Sequence, residues 1–201
     1  PLFQKKISST RIREGIGMLQ FMIGLLIDTS IDHPLIALST GEAIAPTERL
    51  SETLLPSIES LLKKNALSFS NLTYIAVGCG PGAFTGTRLG VMTAKTLSYA
   101  TSLPLVGFCS LERLVPLEEG PFTALIAAHS RGHYALDGEY KEGLYRFKTP
   151  YMLDADEPLP LHQCITEPST WSHIAARAEE RFEAGEATSP FTLDIDYLYT
   201  P

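Results

Sequence analysis

The sequence lacks the features that would place it in a membrane or in an oxidising compartment. Its 201 residues contain no apolar run approaching the roughly 18 residues of a membrane-spanning helix. The apolar run at 21–27 ends at Asp28 and predicts a buried strand. Cys79, Cys109 and Cys164 form no CxxC pair, which argues against a disulfide framework or a zinc site. We therefore expect a cytoplasmic protein with free thiols and no contact with a membrane.

The chain also lacks an excess of positive charge. Its net charge is −7 and its pI is about 5.2, whereas a protein that binds nucleic acid alone needs a basic surface for the phosphates. The acidity therefore disfavours a stand-alone tRNA-binding protein. Hydrophobic residues make up 44% of the chain, enough for one domain or two small lobes with a packed core.

The N-terminal segment has a different composition from the rest. Basic residues at positions 5, 6, 11 and 13 precede a short apolar stretch, which weakly imitates a signal peptide, but no small-residue cleavage site follows. We interpret residues 1–20 as an N-terminal extension, disordered or artefactual. Met18 and Met22 are alternative start sites.

The pattern of residues 21–116 predicts an α/β N-lobe. Helical spacing of apolar residues at 48–64 and 83–100 alternates with short β-rich runs. We expect Thr47 to cap the first helix and Pro56 to kink it. The order strand, helix, strand predicts parallel pairing. The strands are expected at 21–28, 34–40, 42–45, 73–79 and 104–108, the second antiparallel to the first.

The segment Pro116–Pro121 (PLEEGP) predicts a lobe boundary, followed by a shortened C-lobe at 117–201. An antiparallel meander is expected at 122–129, 133–139 and 144–148. The proline- and acid-rich stretch 151–160 predicts a loop, and 169–183 predicts a helix with an apolar side that includes Trp171 and Phe182. The last ten residues predict one more strand.

A glycine-rich turn follows the strand at 73–79 and opens a helix. Gly80 and Gly82 could bring backbone N–H groups up to a phosphate, and the spacing fits a loose dinucleotide pattern. However, Pro81 removes one donor, no acidic residue ends the following strand, and no P-loop motif is present. The alternative is a tight turn that lets the helix pack closely on the sheet.

The helix after that turn has small residues at every fourth position. Gly86, Gly90 and Ala94 therefore share one face. Glycine inside a helix costs about 1 kcal/mol relative to alanine, so a packing reason is expected. The face could pack against the chain's own sheet or against a partner helix. If this face packs against a partner helix, Gly90→Arg should block dimerisation and leave the fold intact.

Three other groups of residues are candidate sites. Asp28-Thr29-Ser30 fits the phosphate-contacting turn of actin-like folds, or a turn that ends the strand. His129 and His133 have metal-pair spacing, but Gly132 indicates a hairpin tip with both rings facing solvent. Cys109 and Ser110 lack a nucleophile motif, so we interpret them as a buried thiol and a helix cap.

Five segments together resemble the TsaB (YeaZ) family, related to the glycoprotease-like TsaD family. They are LLIDTS at 25–30, SETLLP at 51–56, GPGAFTGTRLG at 80–90, AK at 94–95 and PLVG at 104–107. Their order and spacing match over residues 22–117. The resemblance implies an actin-like (ASKHA) two-lobe α/β fold with ribonuclease-H-like mixed sheets flanked by helices. It also implies a role in making N6-threonylcarbamoyladenosine at position 37 of tRNA.

The resemblance further implies a non-catalytic subunit that activates a TsaD-type transferase. The metal pair of the catalytic relatives falls on Ser110 and Leu114, so we expect no catalytic residue and no metal. The implied partners are the TsaD-type subunit, a TsaE-type ATPase in the complex and a second copy when the chain is alone, with tRNA reached only through the complex. No cofactor is required, although the complex could use ATP or ADP. The expected partner interface is Leu50, Leu54, Ile58, Gly86, Leu89, Gly90, Ala94 and Leu97, and the candidate phosphate-binding residues are Asp28, Thr29, Ser30, Gly80 and Gly82.

Departures from the family pattern keep other functions open. Leu50 stands where many relatives have histidine, and 129–131 and 197–199 depart from the family's Asp-Ala-Arg and Tyr-Leu-Arg. The alternative functions are a glycoprotease-like metallopeptidase and an actin-like nucleotide-binding phosphotransferase. The missing metal pair disfavours the first, and the absence of a second phosphate motif disfavours the second.

Overall fold

A five-stranded mixed sheet forms the first half of the chain. The structure, a computed structural model, describes residues 22–46, 49–128, 131–196 and 198. The strand order is β3-β2-β1-β4-β5, with β1–β2 antiparallel and β1–β4–β5 parallel, as predicted. The strands are β1 (Gly24–Asp28), β2 (Leu35–Leu38), β3 (Ala43–Ile44), β4 (Tyr74–Gly78) and β5 (Leu105–Phe108).

Two helices cover one face of this sheet, α1 (Leu50–Lys64) and α2 (Phe84–Thr101). Apolar residues at helical spacing in α1 join β-strand residues in one core. The N-cap position of α1 is Arg49, in the left-handed region with φ 41° and no side-chain cap, so the predicted Thr47 cap is wrong; Thr47 itself lies outside the described residues. Helix α1 continues through Pro56, and the predicted kink stays a prediction.

The other face of the first sheet is covered by α3 (Ser172–Glu183). Its buried residues Ile174, Ala175 and Ala178 pack against β1, β4 and β5. The Phe182 ring stacks on Tyr74, with ring centroids 5.1 Å apart. The predicted helix and its apolar side are therefore confirmed, with Trp171 at the N-cap position.

A second five-stranded sheet follows Pro116. The predicted meander is confirmed, since β7 pairs antiparallel with both β6 and β8. Strand β9 also pairs with β7, so the predicted loop at 151–160 is wrong for its first four residues. Strand β10, which pairs in parallel with β6, was not predicted. The strands are β6 (Gly120–Ala127), β7 (Gly132–Lys141), β8 (Leu144–Phe147), β9 (Tyr151–Asp154) and β10 (Gln163–Ile165).

The C-terminal segment returns to the first sheet. Thr188 forms an isolated bridge with Leu105, Leu193 is buried in the core beneath α1 and α2, and the Asp196 N–H donates to the Cys79 carbonyl. The two sheets fall on either side of Pro116, but α3 and this segment pack on the first sheet, and the division into lobes stays a prediction. The predicted C-terminal strand is wrong where it can be examined, since residues 192–196 form no strand.

The predicted extension at 1–20 lies outside the described residues. In the part of the chain that the structure describes, no helix combines the length and the apolar character needed to cross a membrane.

Candidate functional site

The carboxyl end of β1 carries a buried turn built on Asp28. Its carboxylate accepts a hydrogen bond from the Ser30 N–H at 2.9 Å, which closes the turn, and another from the Ser110 hydroxyl at 3.2 Å. The other carboxylate oxygen lies 3.0 Å from a terminal nitrogen of Arg113. Both oxygens of Asp28 are therefore engaged by protein groups.

Arg113 connects the turn to the segment between the two sheets. It lies in a 3-10 helix, Ser110–Arg113, and its side chain is only 4% exposed. Its second terminal nitrogen donates to the carbonyl of His33 at 2.6 Å. A buried guanidinium and carboxylate that meet in this way neutralise each other, because either one alone would carry a large desolvation cost.

The interpretation of Cys109 and Ser110 needs two corrections. The N-cap position of the 3-10 helix is Cys109, not Ser110, and no side chain caps it. The Ser110 hydroxyl instead donates to Asp28 and accepts the Gly80 N–H at 3.1 Å, so it joins two turns. Cys109 is half-buried rather than fully buried, and this partial burial still raises the pKa of its thiol to about 12.

The glycine turn packs directly on the Asp28 turn. A Cβ on Gly82 would lie 2.1 Å from the Ser30 carbonyl oxygen, so only glycine fits there. The same carbonyl accepts the Ala83 N–H at 2.7 Å. The Gly80 N–H is bound to Ser110, and Pro81 has no N–H. Together with Ala83, three backbone positions of the turn therefore offer no N–H to a ligand.

The small-residue face of α2 packs on the chain's own β1 turn. A Cβ on Gly86 would lie 2.1 Å from the Thr29 carbonyl oxygen, and one on Gly90 would lie 2.6 Å from the Thr29 hydroxyl. That hydroxyl donates to the Gly86 carbonyl at 2.6 Å. Of the two explanations for this face, packing within the chain is the one observed.

This packing corrects half of the expected partner interface. Four of its residues are buried in the chain's own core and cannot meet a partner; they are Leu54, Ile58, Gly90 and Ala94. The other four are partly exposed: Leu50, Gly86, Leu89 and Leu97. Large apolar side chains that sequence reasoning missed are more exposed on α1 and α2, namely Leu55 at 45%, Phe84 at 60%, Met92 at 58% and Tyr99 at 71%.

The exposed residues of α2 follow their own four-residue spacing. Phe84, Arg88 and Met92 recur two positions away from the small residues, which places them about 200° around the helix, on its outer side. The Arg88 guanidinium lies 3.5 Å from the centre of the Phe84 ring. A search for large apolar residues at every fourth position of the helix, like the search that found the small residues, would have indicated this face.

A cleft of about 450 Å³ lies beside the two turns, within the size range of small-molecule sites. Its walls come from the β1–β2 turn, the start of α2, the link after the 3-10 helix and the second sheet, and they are mainly apolar, including Ile31, Leu114, Ile126 and Tyr134. Acidic Asp32 and Glu167 also line it, and Glu167 lies 2.5 Å from His33. Among the candidate phosphate residues, Ser30 and Gly82 line the cleft, whereas Asp28, Thr29 and Gly80 do not.

The described residues contain no group of three or more His, Cys, Asp or Glu side chains arranged to hold a metal ion. His133 lies in β7 and lines the cleft, while His129 lies outside the described residues. Ser110 and Leu114, at the places of the relatives' metal pair, are both buried.

With the geometry established, comparison with known proteins identifies the family. Residues 30–146 match the family model described as TsaD, tRNA N6-adenosine threonylcarbamoyltransferase. The chain belongs to this family. The expected resemblance to its TsaB (YeaZ) members is confirmed by the following relatives.

Two proteins named tRNA threonylcarbamoyladenosine biosynthesis protein TsaB are among the relatives. The one from Bacillus subtilis is 36% identical over 94 residues, covering 47% of this chain and 39% of that protein. The one from Buchnera aphidicola is 35% identical over 98 residues, covering 45% of each. The match thus spans less than half of either relative.

The solved structure of YeaZ from Pseudomonas aeruginosa has the same fold. It superposes with a TM-score of 0.75 at 21% identity, covering 89% of this chain and 100% of that one. This likeness confirms the predicted α/β fold.

Proposed function

We propose that this chain is a TsaB-type accessory subunit of the system that makes N6-threonylcarbamoyladenosine in tRNA. In this role it binds and activates a TsaD-type transferase, a TsaE-type ATPase joins the complex, and tRNA is reached only through that complex. Membership of the family carries the proposal, together with the relatives named TsaB.

The site chemistry supports a non-catalytic role. Ser110 is committed to hydrogen bonds with Asp28 and Gly80, and Leu114 is an aliphatic side chain buried between the 3-10 helix and the second sheet. Neither can act as the metal ligand that the resemblance places there in catalytic relatives. Metal analysis of the purified chain checks this point, since stoichiometric zinc or iron would favour the metallopeptidase.

The outer side of α1 and α2 supplies the surface for the partner. Met92 and Tyr99 on α2 and Leu55 on α1 are large apolar side chains that are exposed, and extended exposed apolar surface commonly marks an interaction site. The acidic net charge does not oppose this role, because tRNA contact is left to the rest of the complex.

The direct test mixes the purified chain with its native TsaD-type partner. Size-exclusion chromatography with light scattering should show a heterodimer at micromolar concentrations, and threonylcarbamoylation of tRNA should require both proteins. Transferase activity from the partner that is independent of this chain, with no complex, would refute the proposal.

A further inference from the structure

The Asp28 turn occupies the place where the actin-like fold implied by the resemblance contacts a nucleotide phosphate. Its residues do not fit that group. The Thr29 hydroxyl is donated to the Gly86 carbonyl, and the Ala83 and Gly80 N–H groups are bound to Ser30 and Ser110. The buried Ser30 hydroxyl has no partner, but one hydroxyl with few free N–H groups is too little to hold a phosphate, because a helix N-terminus needs free N–H groups to hold an anion.

The charge around the turn also opposes a phosphate that carries no metal ion. Asp28 is buried at the turn, and the adjoining cleft carries the carboxylates of Asp32 and Glu167. The nearest buried cation is Arg113, and its two terminal nitrogens are already bound to Asp28 and to the His33 carbonyl. A nucleotide would have to displace these bonds to gain the same positive charge.

We propose that Arg113 is a built-in cation that replaces the metal-bound phosphate at Asp28, so that this chain closes its nucleotide site without a nucleotide. One guanidinium ties together the end of β1, the β1–β2 turn at His33 and the link from β5 to β6. Arginine suits this role because its planar guanidinium presents N–H donors at fixed angles and can bind two acceptors at once. The proposal concerns the isolated chain and is independent of how it binds a partner.

The first experiment measures nucleotide binding by the wild-type chain. Isothermal titration with MgADP and with MgATP should show no saturable heat, and thermal unfolding should show no rise in Tm, because a ligand that binds only the native state raises it. Saturable binding with a dissociation constant below about 1 mM would overturn the proposal. Even that weak affinity, about 4 kcal/mol of binding free energy, is more than a site filled by Arg113 should give.

The second experiment asks whether the guanidinium acts as the cation for Asp28. Arg113→Ala leaves a buried carboxylate without a partner and should lower Tm by about 10 °C. Asp28→Asn should destabilise the wild type but stabilise the Arg113→Ala background, because there it removes an uncompensated charge. Arg49→Ala, at an exposed arginine paired with Glu52, is the matched control and should leave Tm nearly unchanged.

Chemical rescue separates a cation site from a merely structural contact. Millimolar methylguanidinium should raise the Tm of Arg113→Ala, yet leave the wild type and Asp28→Asn/Arg113→Ala unmoved. If Arg113→Ala does not fold, the proposal still requires the double variant to fold. A double variant that also fails, a destabilising Asp28→Asn in the Arg113→Ala background, or an absence of rescue would each overturn it.

Discussion

The carbonyl oxygen of Thr29 lies 2.1 Å from the point where a Cβ on Gly86 would stand. This close approach joins the turn after β1 to the first half of α2, and the Thr29 hydroxyl strengthens it with its bond to the Gly86 carbonyl. Packing within the chain is therefore enough to require glycine at this position.

Gly86→Ala should destabilise the fold because the obstructing atom belongs to the backbone and can move only with the turn after β1. Overpacking of this kind typically costs about 1–3 kcal/mol, which exceeds the gain of about 1 kcal/mol from replacing helical glycine by alanine. Urea unfolding measures the difference. Thr96→Ala, at an exposed position of the same helix, is the control, and a Gly86→Ala variant as stable as the wild type would contradict the packing.

The same geometry corrects the expectation for Gly90→Arg. A Cβ at Gly90 would lie 2.6 Å from the Thr29 hydroxyl, and a long charged side chain would enter the core beneath α2. This variant should be unfolded or strongly destabilised rather than a folded monomer. Circular dichroism and a thermal melt decide between these outcomes: a native-like melt would restore the original expectation.

Stability should fall as the pH drops below the ordinary pKa of histidine, and His173 is the cause. Burial lowers its pKa to about 4, aided by the charges of Arg177 and Arg113, while the bond to the Glu112 carbonyl opposes the shift. The folded state keeps this ring neutral where the unfolded chain takes up a proton. The free energy of unfolding therefore has its full value above pH 6.5, and protonation of the unfolded chain at this histidine lowers it progressively, by about 3 kcal/mol in total, toward pH 4.

A histidine variant isolates this effect from the carboxylates. His173→Gln should show a shallower loss of unfolding free energy between pH 6.5 and 4.5 than the wild type, measured by urea titration at each pH. Identical slopes for the wild type and His173→Gln would contradict the buried neutral ring.

The three thiols should differ in reactivity. Burial raises the pKa of Cys79 and of Cys109 to about 12, so almost no thiolate is present at pH 8. Cys164 lies in β10 and is partly exposed. Iodoacetamide should therefore modify Cys164 first, as followed by mass spectrometry, and Cys164→Ser should remove the fast phase. Fast labelling of Cys79 in the native protein would contradict its burial.

Sequence periodicity was enough for most of the first sheet because its helices are long and its strands are strongly apolar, apart from the two-residue strand β3. The core spacing of α1 and the buried runs of β1 and β4 are local signals, and parallel pairing follows from the alternation of strands and helices. Strands β9 and β10 have four and three residues, too short for a periodic signal, and Pro158 and Pro160 between them suggested a loop.

The candidate site was only half predictable for a different reason. Spacing shows that Gly86, Gly90 and Ala94 share a face of α2, but it cannot tell which face is turned inward. The bond between Arg113 and Asp28 joins residues 85 positions apart, and no local pattern marks it. The residues around Arg113 carry only the pattern of a short helix, which does not indicate a buried ion pair.

The last prediction follows from the corrected partner interface. Met92 is 58% exposed on the outer side of α2, so Met92→Glu should leave the fold unchanged, yet place a charge in the proposed contact with the TsaD-type partner. Burying an unpaired charge is costly, and we expect the affinity to fall at least about tenfold, or 1.4 kcal/mol. Leu144→Glu, at a 61% exposed apolar residue of β8 in the second sheet, is the matched control. Isothermal titration calorimetry should show weaker binding of the partner for Met92→Glu only. Equal binding by both variants would show that the outer side of α2 is not part of the interface.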